Sequence, residues 1–215
     1  MNNHIDINVL QLLCSRICHD LVGPVGAINT AIELMADEGS GALDGEALSV
    51  LMKSAQDANR KLAFFRSVFG LGGGADVVVQ QSHLVELTEG ILASGKVTAN
   101  WDVGIPATVS GSAGKIIMLL VFLAAETLPR GGEVTVRVQT FSDGMAAACI
   151  AEGEGAVIRP EVEAVLADKT PSTELSARGV PAYVLALLAH KCGATVEFSS
   201  PQPGQVALAV LFSDG

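Results

Sequence analysis

Residues 16–28 read Arg16-Ile17-Cys18-His19-Asp20-Leu21-Val22-Gly23-Pro24-Val25-Gly26-Ala27-Ile28, and the helix to which they belong sets the architecture of the N-terminal third of the chain. Around this stretch Leu10, Leu13, Ile17, Leu21, Val25, Ile28, Ile32 and Met35 recur at three- and four-residue steps. That spacing is the apolar stripe of one long amphipathic helix running from Ile5 to Met35. Asp37-Glu38-Gly39-Ser40-Gly41 interrupts it, and Ala47, Leu51, Ala55 or Ala58, Leu62, Phe65 and Phe69 then resume helical spacing up to Gly70. Two antiparallel helices result. A lone hairpin has too little surface to cover its own stripe, so burial predicts a homodimer, most economically a four-helix bundle.

Gly70-Leu71-Gly72-Gly73-Gly74 is the clearest boundary in the chain, because consecutive glycines oppose both helix and strand. It divides a hairpin of residues 1–72 from a second domain of residues 73–215. The second domain reads as a strand (Val77 to Val79), a helix (His83 to Ala93), a strand (Lys96 to Trp101) and a helix (Lys115 to Thr127). Two strands follow the turn Pro129-Arg130-Gly131-Gly132, at Glu133 to Phe141 and Met145 to Ala151. Helices at Glu161 to Leu166 and Val180 to Cys192, and strands at Thr195 to Ser199 and Val206 to Phe212, complete an α+β sandwich of helices on a mixed sheet.

The chain has 215 residues, 49% of them hydrophobic, and a formal net charge of −10. One or two cores fit that length. The negative charge opposes nucleic acid and anionic membranes as partners. Cys14, Cys18, Cys149 and Cys192 form no paired framework, and Met1 to Asp6 lack a basic segment followed by an apolar signal core, so a cytoplasmic location is expected. The longest strongly apolar run, Ile116 to Ala125, is about half of what a membrane-spanning helix needs and reads as a buried helix.

At about 100° per residue, His19 points away from the Ile17 and Leu21 side of the stripe and toward solvent. Its face holds Ser15, Arg16, Gly23 and Gly26, residues that are small or cationic and can admit another protein closely. Two glycines and Pro24 in a helix interior cost about 1 and about 3 kcal/mol each, and Pro24 also removes the hydrogen bond to the Asp20 carbonyl. An imidazole with one free ring nitrogen is a nucleophile at neutral pH, and the adjacent Asp20 is placed to fix its tautomer or accept its proton. Arg16, and Arg60 or Lys61 from the second helix, are candidates for neutralising a phosphoryl oxygen. Cys14 and Cys18 lack further ligands at useful spacing, so they read as buried small hydrophobes and not as a metal site. Trp101 and Tyr183 read as core aromatics, and His4, His83 and His190 as surface residues or helix-end charges.

The stretch around His19 resembles the H-box of two-component histidine kinases, where a phosphoacceptor histidine, an acidic neighbour and a proline five residues on lie in the first helix of a dimeric bundle. His19, Asp20 and Pro24 match it. In that family a Thr or Asn three residues beyond the acid supports phosphatase chemistry, and Gly23 stands there in this chain. The second domain resembles the ATP-binding domain of the same kinases in element order, with Leu128-Pro129-Arg130-Gly131-Gly132-Glu133-Val134-Thr135-Val136 similar to the turn and strand after the N-box. Its nucleotide boxes are eroded. The resemblance puts the magnesium-binding Asn at Leu123 and the adenine-binding Asp at Ala151, ahead of the retained Gly153 and Gly155, and the lid box at Ala177 to Ala182 keeps one glycine, Gly179. Glu126, on the same helix as Leu123, reads as an exposed helix-end residue.

An H-box hairpin followed by a degenerate kinase-like domain resembles the ChpT-type histidine phosphotransferases of alphaproteobacteria over essentially the full chain, with His-Asp-Leu-Val-Gly-Pro-Val-Gly-Ala-Ile a close local match. This implies a homodimer active in cell-cycle phosphorelay. His19 would accept phosphate from the receiver domain of a CckA-like hybrid kinase and pass it to CtrA-like and CpdR-like response regulators. No cofactor would be bound by this chain, the Mg2+ residing on the partner receiver domain. The competing readings are an ATP-dependent histidine kinase and a non-catalytic dimeric scaffold that binds receivers.

Overall fold

The computed structural model describes residues 6–37, 45–71, 77–142 and 144–213. The predicted hairpin is present as α1 (Ile7–Asp37) and α2 (Gly45–Phe69), which pack along one another. Pro24 lies inside α1 without ending it. The expected hairpin turn at 38–44, the glycine run at 72–74 and the domain boundary drawn through it lie outside the described residues.

The remainder comprises β1 (Val78–Gln80), α3 (Gln81–Leu92), β2 (Val97–Trp101), β3 (Thr108–Ser110), α4 (Gly111–Glu126), β4 (Gly132–Phe141), β5 (Gly144–Glu152), α5 (Pro160–Leu166), a 3-10 turn at Ser172–Glu174, α6 (Val180–Lys191), β6 (Thr195–Ser199) and β7 (Gln205–Ser213). Five strands form one mixed sheet in the order β2-β4-β5-β7-β6, in which only β2 and β4 run parallel. Val134, Val136 and Val138 of β4, Ala147, Cys149 and Ala151 of β5, and Val206, Leu208 and Val210 of β7 are buried at alternate positions, so one face of the sheet carries the helices. The small antiparallel pair β1-β3 was not expected as a pair, and β3 was absent from the sequence reading.

Helix α4 begins four residues before the predicted start. Ser110 caps it, its Oγ accepting from the Ala113 backbone N–H at 3.3 Å. From Ile116 to Ala124 the helix is buried on every side, between the sheet and the neighbouring helices. Its residue Phe122 meets Phe64 and Phe65 of α2, with ring centroids 5.5 and 6.4 Å apart. Those aromatics place the end of the hairpin in the same hydrophobic cluster as the sheet, and Val9, Leu12, Leu13 and Ile17 of α1 pack against it. The glycines after α4 are dictated by close backbone approach. Gly131 and Gly132 have φ of +94° and +145°, and a Cβ on Gly132 would sit 2.1 Å from the Glu152 carbonyl oxygen.

Candidate functional site

Helix α1 packs on α6 and reaches the end of α4 through the Arg16 side chain, and a cleft of about 470 Å³ forms where the hairpin meets the sheet domain. Ser15, Arg16, His19 and Asp20 line it from α1, Glu126 from the last turn of α4, Arg159 from the residue before α5, and Ala177 and Arg178 from the loop before α6. The His19 side chain is 85% exposed, as its helix position predicts. Its Nδ1 lies 3.1 Å from Asp20 Oδ1. Asp20 is also held from behind, its Oδ2 accepting from Arg16 Nε at 2.9 Å. With Nδ1 protonated toward Asp20, the free ring lone pair falls on Nε2, as a nucleophilic imidazole requires, in a residue that lines the open cleft.

Arg16 corrects the sequence reading. It was expected on the exposed face with His19, but it is 9% exposed and lies folded between α1 and α4. Its Nη2 donates to Glu126 Oε1 at 2.5 Å, and its guanidinium carbon stands 5.3 Å from the Phe122 ring centroid. Burial opposes its charge, and Glu126 and then Asp20 more than offset that, holding the guanidinium above the ordinary arginine range. A charge committed to two carboxylates is poorly suited to neutralising a third group. Glu126 is likewise half-buried and paired, not an exposed helix end. Cys14 and Cys18, expected to be buried, are exposed, while Trp101 and Tyr183 are half-buried against the core.

Ser15 lines the His19 cleft, Gly23, Arg60 and Lys61 line another, and Gly26 lines neither. Gly23, Pro24, Lys53, Asp57, Arg60 and Lys61 line a second cleft, which does not include His19. There Lys61 Nζ is paired with Asp57 Oδ2 at 2.9 Å. Gly23 and Gly26 are exposed, and a Cβ built on either meets no atom within 4 Å. The cations that do share the His19 cleft beside Arg16 are Arg159 and Arg178, which the sequence reading missed. Neither forms an ion pair among the described residues. Their signal was weak in sequence because each is an isolated arginine in a loop, brought to His19 only by the docking of α1.

Two positions that the resemblance aligns with nucleotide boxes lie in the core. Leu123 is 2% exposed within the core, and Ala151 is fully buried on β5, so neither supplies an oxygen ligand or carboxylate. Gly153 is explained by packing, since a Cβ there would lie 2.4 Å from the Gly131 carbonyl oxygen. Glu154 is ion-paired with Arg130, and Glu152 Oε1 accepts from Gln205 Nε2 at 2.7 Å. Helix α6 starts at Val180-Pro181, both buried, so its first turn offers no open run of N–H groups. Among the described residues no group of three or more His, Cys, Asp or Glu could hold a metal ion, and no helix is long and apolar enough to cross a membrane.

Comparison with known proteins follows the same lines. The profile of the histidine phosphotransferase C-terminal domain matches residues 81–204. The protein phosphotransferase ChpT of Brucella abortus (strain 2308) is 28% identical over 182 residues, covering 85% of each chain. The solved structure of a bacterial phosphotransferase superposes with a TM-score of 0.82 at 23% identity, covering 96% of this chain and 97% of that one. The Acinetobacter baumannii histidine kinase AdeS gives a TM-score of 0.51 at 13% identity, over 91% of this chain and 97% of that one. The fold of the sheet domain is therefore that of histidine kinase catalytic domains.

Proposed function

The chain belongs to the histidine phosphotransferase family, and on that premise we propose that His19 is a phosphoacceptor passing phosphoryl groups between receiver-domain aspartates. The observation that carries this reading is the exposed His19 ring, with Nδ1 3.1 Å from Asp20 Oδ1, lining a cleft that Arg159 and Arg178 also line. In the forward step the Nε2 lone pair attacks the phosphorus of a receiver's aspartyl phosphate. An N–P bond forms, the P–O bond to the aspartate breaks, and its electron pair leaves with the carboxylate. Asp20 stabilises the charge developing on the ring through Nδ1–H. Arg159 and Arg178 supply positive charge toward the incoming phosphoryl oxygens. Transfer to a second receiver is the same step reversed. The Mg2+ that receivers need stays with the receiver, and this chain contributes nucleophile, orientation and a docking face.

Receiver docking would centre on the exposed part of α1, Ser15, His19, Gly23 and Gly26, with Arg60 and Lys61 at the edge of the adjoining groove. CckA-like donors and CtrA-like and CpdR-like acceptors are the partners we propose, in the cytoplasm. The homodimer is supported by Val22, Val25, Ile32, Leu34, Val50 and Met52, which are all exposed on the hairpin of a single chain. Residues 1–72 would form the dimerising phosphotransfer hairpin and 73–215 the degenerate kinase-like domain. With Leu123 and Ala151 at the aligned positions, ATP is not the donor.

Two donors separate the readings. Incubation with a receiver domain carrying labelled aspartyl phosphate is expected to label the chain, and labelled ATP with Mg2+ alone is expected to leave it unlabelled. Labelling by ATP alone would establish the kinase reading, and binding of receivers without labelling would establish the scaffold.

A further inference from the structure

The acceptor pair on α1 is connected to the sheet domain by side chains that the transfer step itself does not use. Starting at the acceptor, His19 Nδ1 meets Asp20 Oδ1 at 3.1 Å, Asp20 Oδ2 takes a hydrogen bond from Arg16 Nε at 2.9 Å, and Arg16 Nη2 donates to Glu126 Oε1 at 2.5 Å. Arg16 and Glu126 are 110 residues apart in sequence. Glu126 closes α4 two residues after the stretch Ile116 to Ala124 that is locked in the core, so its carboxylate extends from a rigid base.

A neutral imidazole in water prefers the proton on Nε2, which would leave Nδ1 as the nucleophile, close to the backbone of its own helix. A carboxylate accepting from Nδ1–H reverses that preference. It does so only while it holds one rotamer, and a lone aspartate on an exposed helix face does not. Arg16 holds Asp20 in place, but an arginine has four rotatable side-chain bonds and needs an anchor at its far end. Glu126 and the Phe122 ring provide it. A buried, doubly paired arginine also sits where an apolar side chain would pack at lower desolvation cost, so simple cohesion of α1 with α4 does not account for it.

We propose that Glu126 is a positioning residue for His19: reaching across from the sheet domain, it anchors Arg16, which orients Asp20 so that the acceptor ring keeps its proton on Nδ1 and presents Nε2. The proposal rests on the reading of His19 as acceptor, and it assigns work to a domain whose nucleotide boxes are gone. The eroded kinase domain becomes part of the acceptor site.

The test uses the full chain, labelled with 15N in its histidines, as wild type and as Glu126→Gln, which preserves shape and removes charge. Glu126→Asp serves as the conservative variant. At a pH where His19 is neutral, the wild-type spectrum is expected to show the Nδ1–H form, and Glu126→Gln a shift toward Nε2–H. Transfer from a saturating phosphorylated receiver slows about tenfold in Glu126→Gln, the rate equivalent of one weakened charge-assisted hydrogen bond, with receiver affinity unchanged. Glu126→Asp recovers part of both. An unchanged His19 tautomer in Glu126→Gln overturns the proposal, as does a loss of affinity and melting temperature together with no tautomer change. If wild-type chain takes no phosphoryl group on His19, the acceptor reading fails, and the tautomer measurement still decides the positioning role on its own.

Discussion

Helix α1 is 31 residues long and, among residues 7–36, buries Arg16, Pro24 and Ala31 alone, whereas α4 is 16 residues long and buries every residue from Ile116 to Ala124. The two helices meet at one cleft and are built for opposite tasks. Helix α1 keeps an exposed face, with small residues and a proline that a helix selected for stability alone would avoid, which suits the acceptor role proposed for His19. Helix α4 organises a core, and polar ligands for a nucleotide would have to interrupt it. The division teaches where a kinase-like fold can lose function without losing structure. Leu123 on α4 contributes packing, at 2% exposure, whereas the His19 side chain on α1 is 85% exposed and contributes almost none.

Returning a polar residue to α4 gives the largest expected effect. Leu123→Asn removes a side chain with 2% exposure and buries an amide without a designed partner. A loss of about 4 kcal/mol is expected in denaturant unfolding, with no gain of ATP labelling. A variant of unchanged stability would mean that the position is not core.

On the α1 side of the cleft the effects fall on binding. The double variant Arg159→Ala and Arg178→Ala leaves the fold intact and weakens receiver affinity about tenfold, acting mainly through the association rate and most strongly at low salt. Titration at two ionic strengths checks it, and equal affinities at both would remove these arginines from the docking face. The smallest effect sharpens the comparison in the opposite direction. Gly23→Ala adds a methyl group into open space on α1 and is expected to raise stability by about 0.5–1 kcal/mol. A fall in melting temperature would show that α1 is not a regular helix at that point.

Periodic burial was the most legible signal. The hairpin helices, β2, β4 to β7 and α6 lie within about two residues of their predicted bounds, because long stripes and alternating strands are local properties of the sequence. The start of α4 was missed since Ser110-Gly111-Ser112-Ala113-Gly114 has no apolar stripe, although the cap at Ser110 was a usable cue. Strand β3 owes its existence to pairing with β1 across a distance that no local pattern encodes. At the candidate site, the exposure of His19 and its contact with Asp20 were readable from helical spacing. The burial of Arg16, its partner Glu126 and the approach of Arg159 and Arg178 were not, because all four depend on how α1 docks on the sheet domain. Cys14 and Cys18 were misplaced for a related reason. Helical rotation alone put them near the stripe, but the docked surface of α1 excludes them.

The central claim is that the phosphoryl group resides on His19 through Nε2, and locating it is the most direct measurement. After transfer from a phosphorylated receiver, peptide mapping combined with 31P and 15N NMR of the labelled chain is expected to find one phosphoramidate, on the His19 ring at Nε2, absent from His19→Ala. Phosphate on any other residue, or His19→Ala labelled as strongly as wild type, would contradict the account.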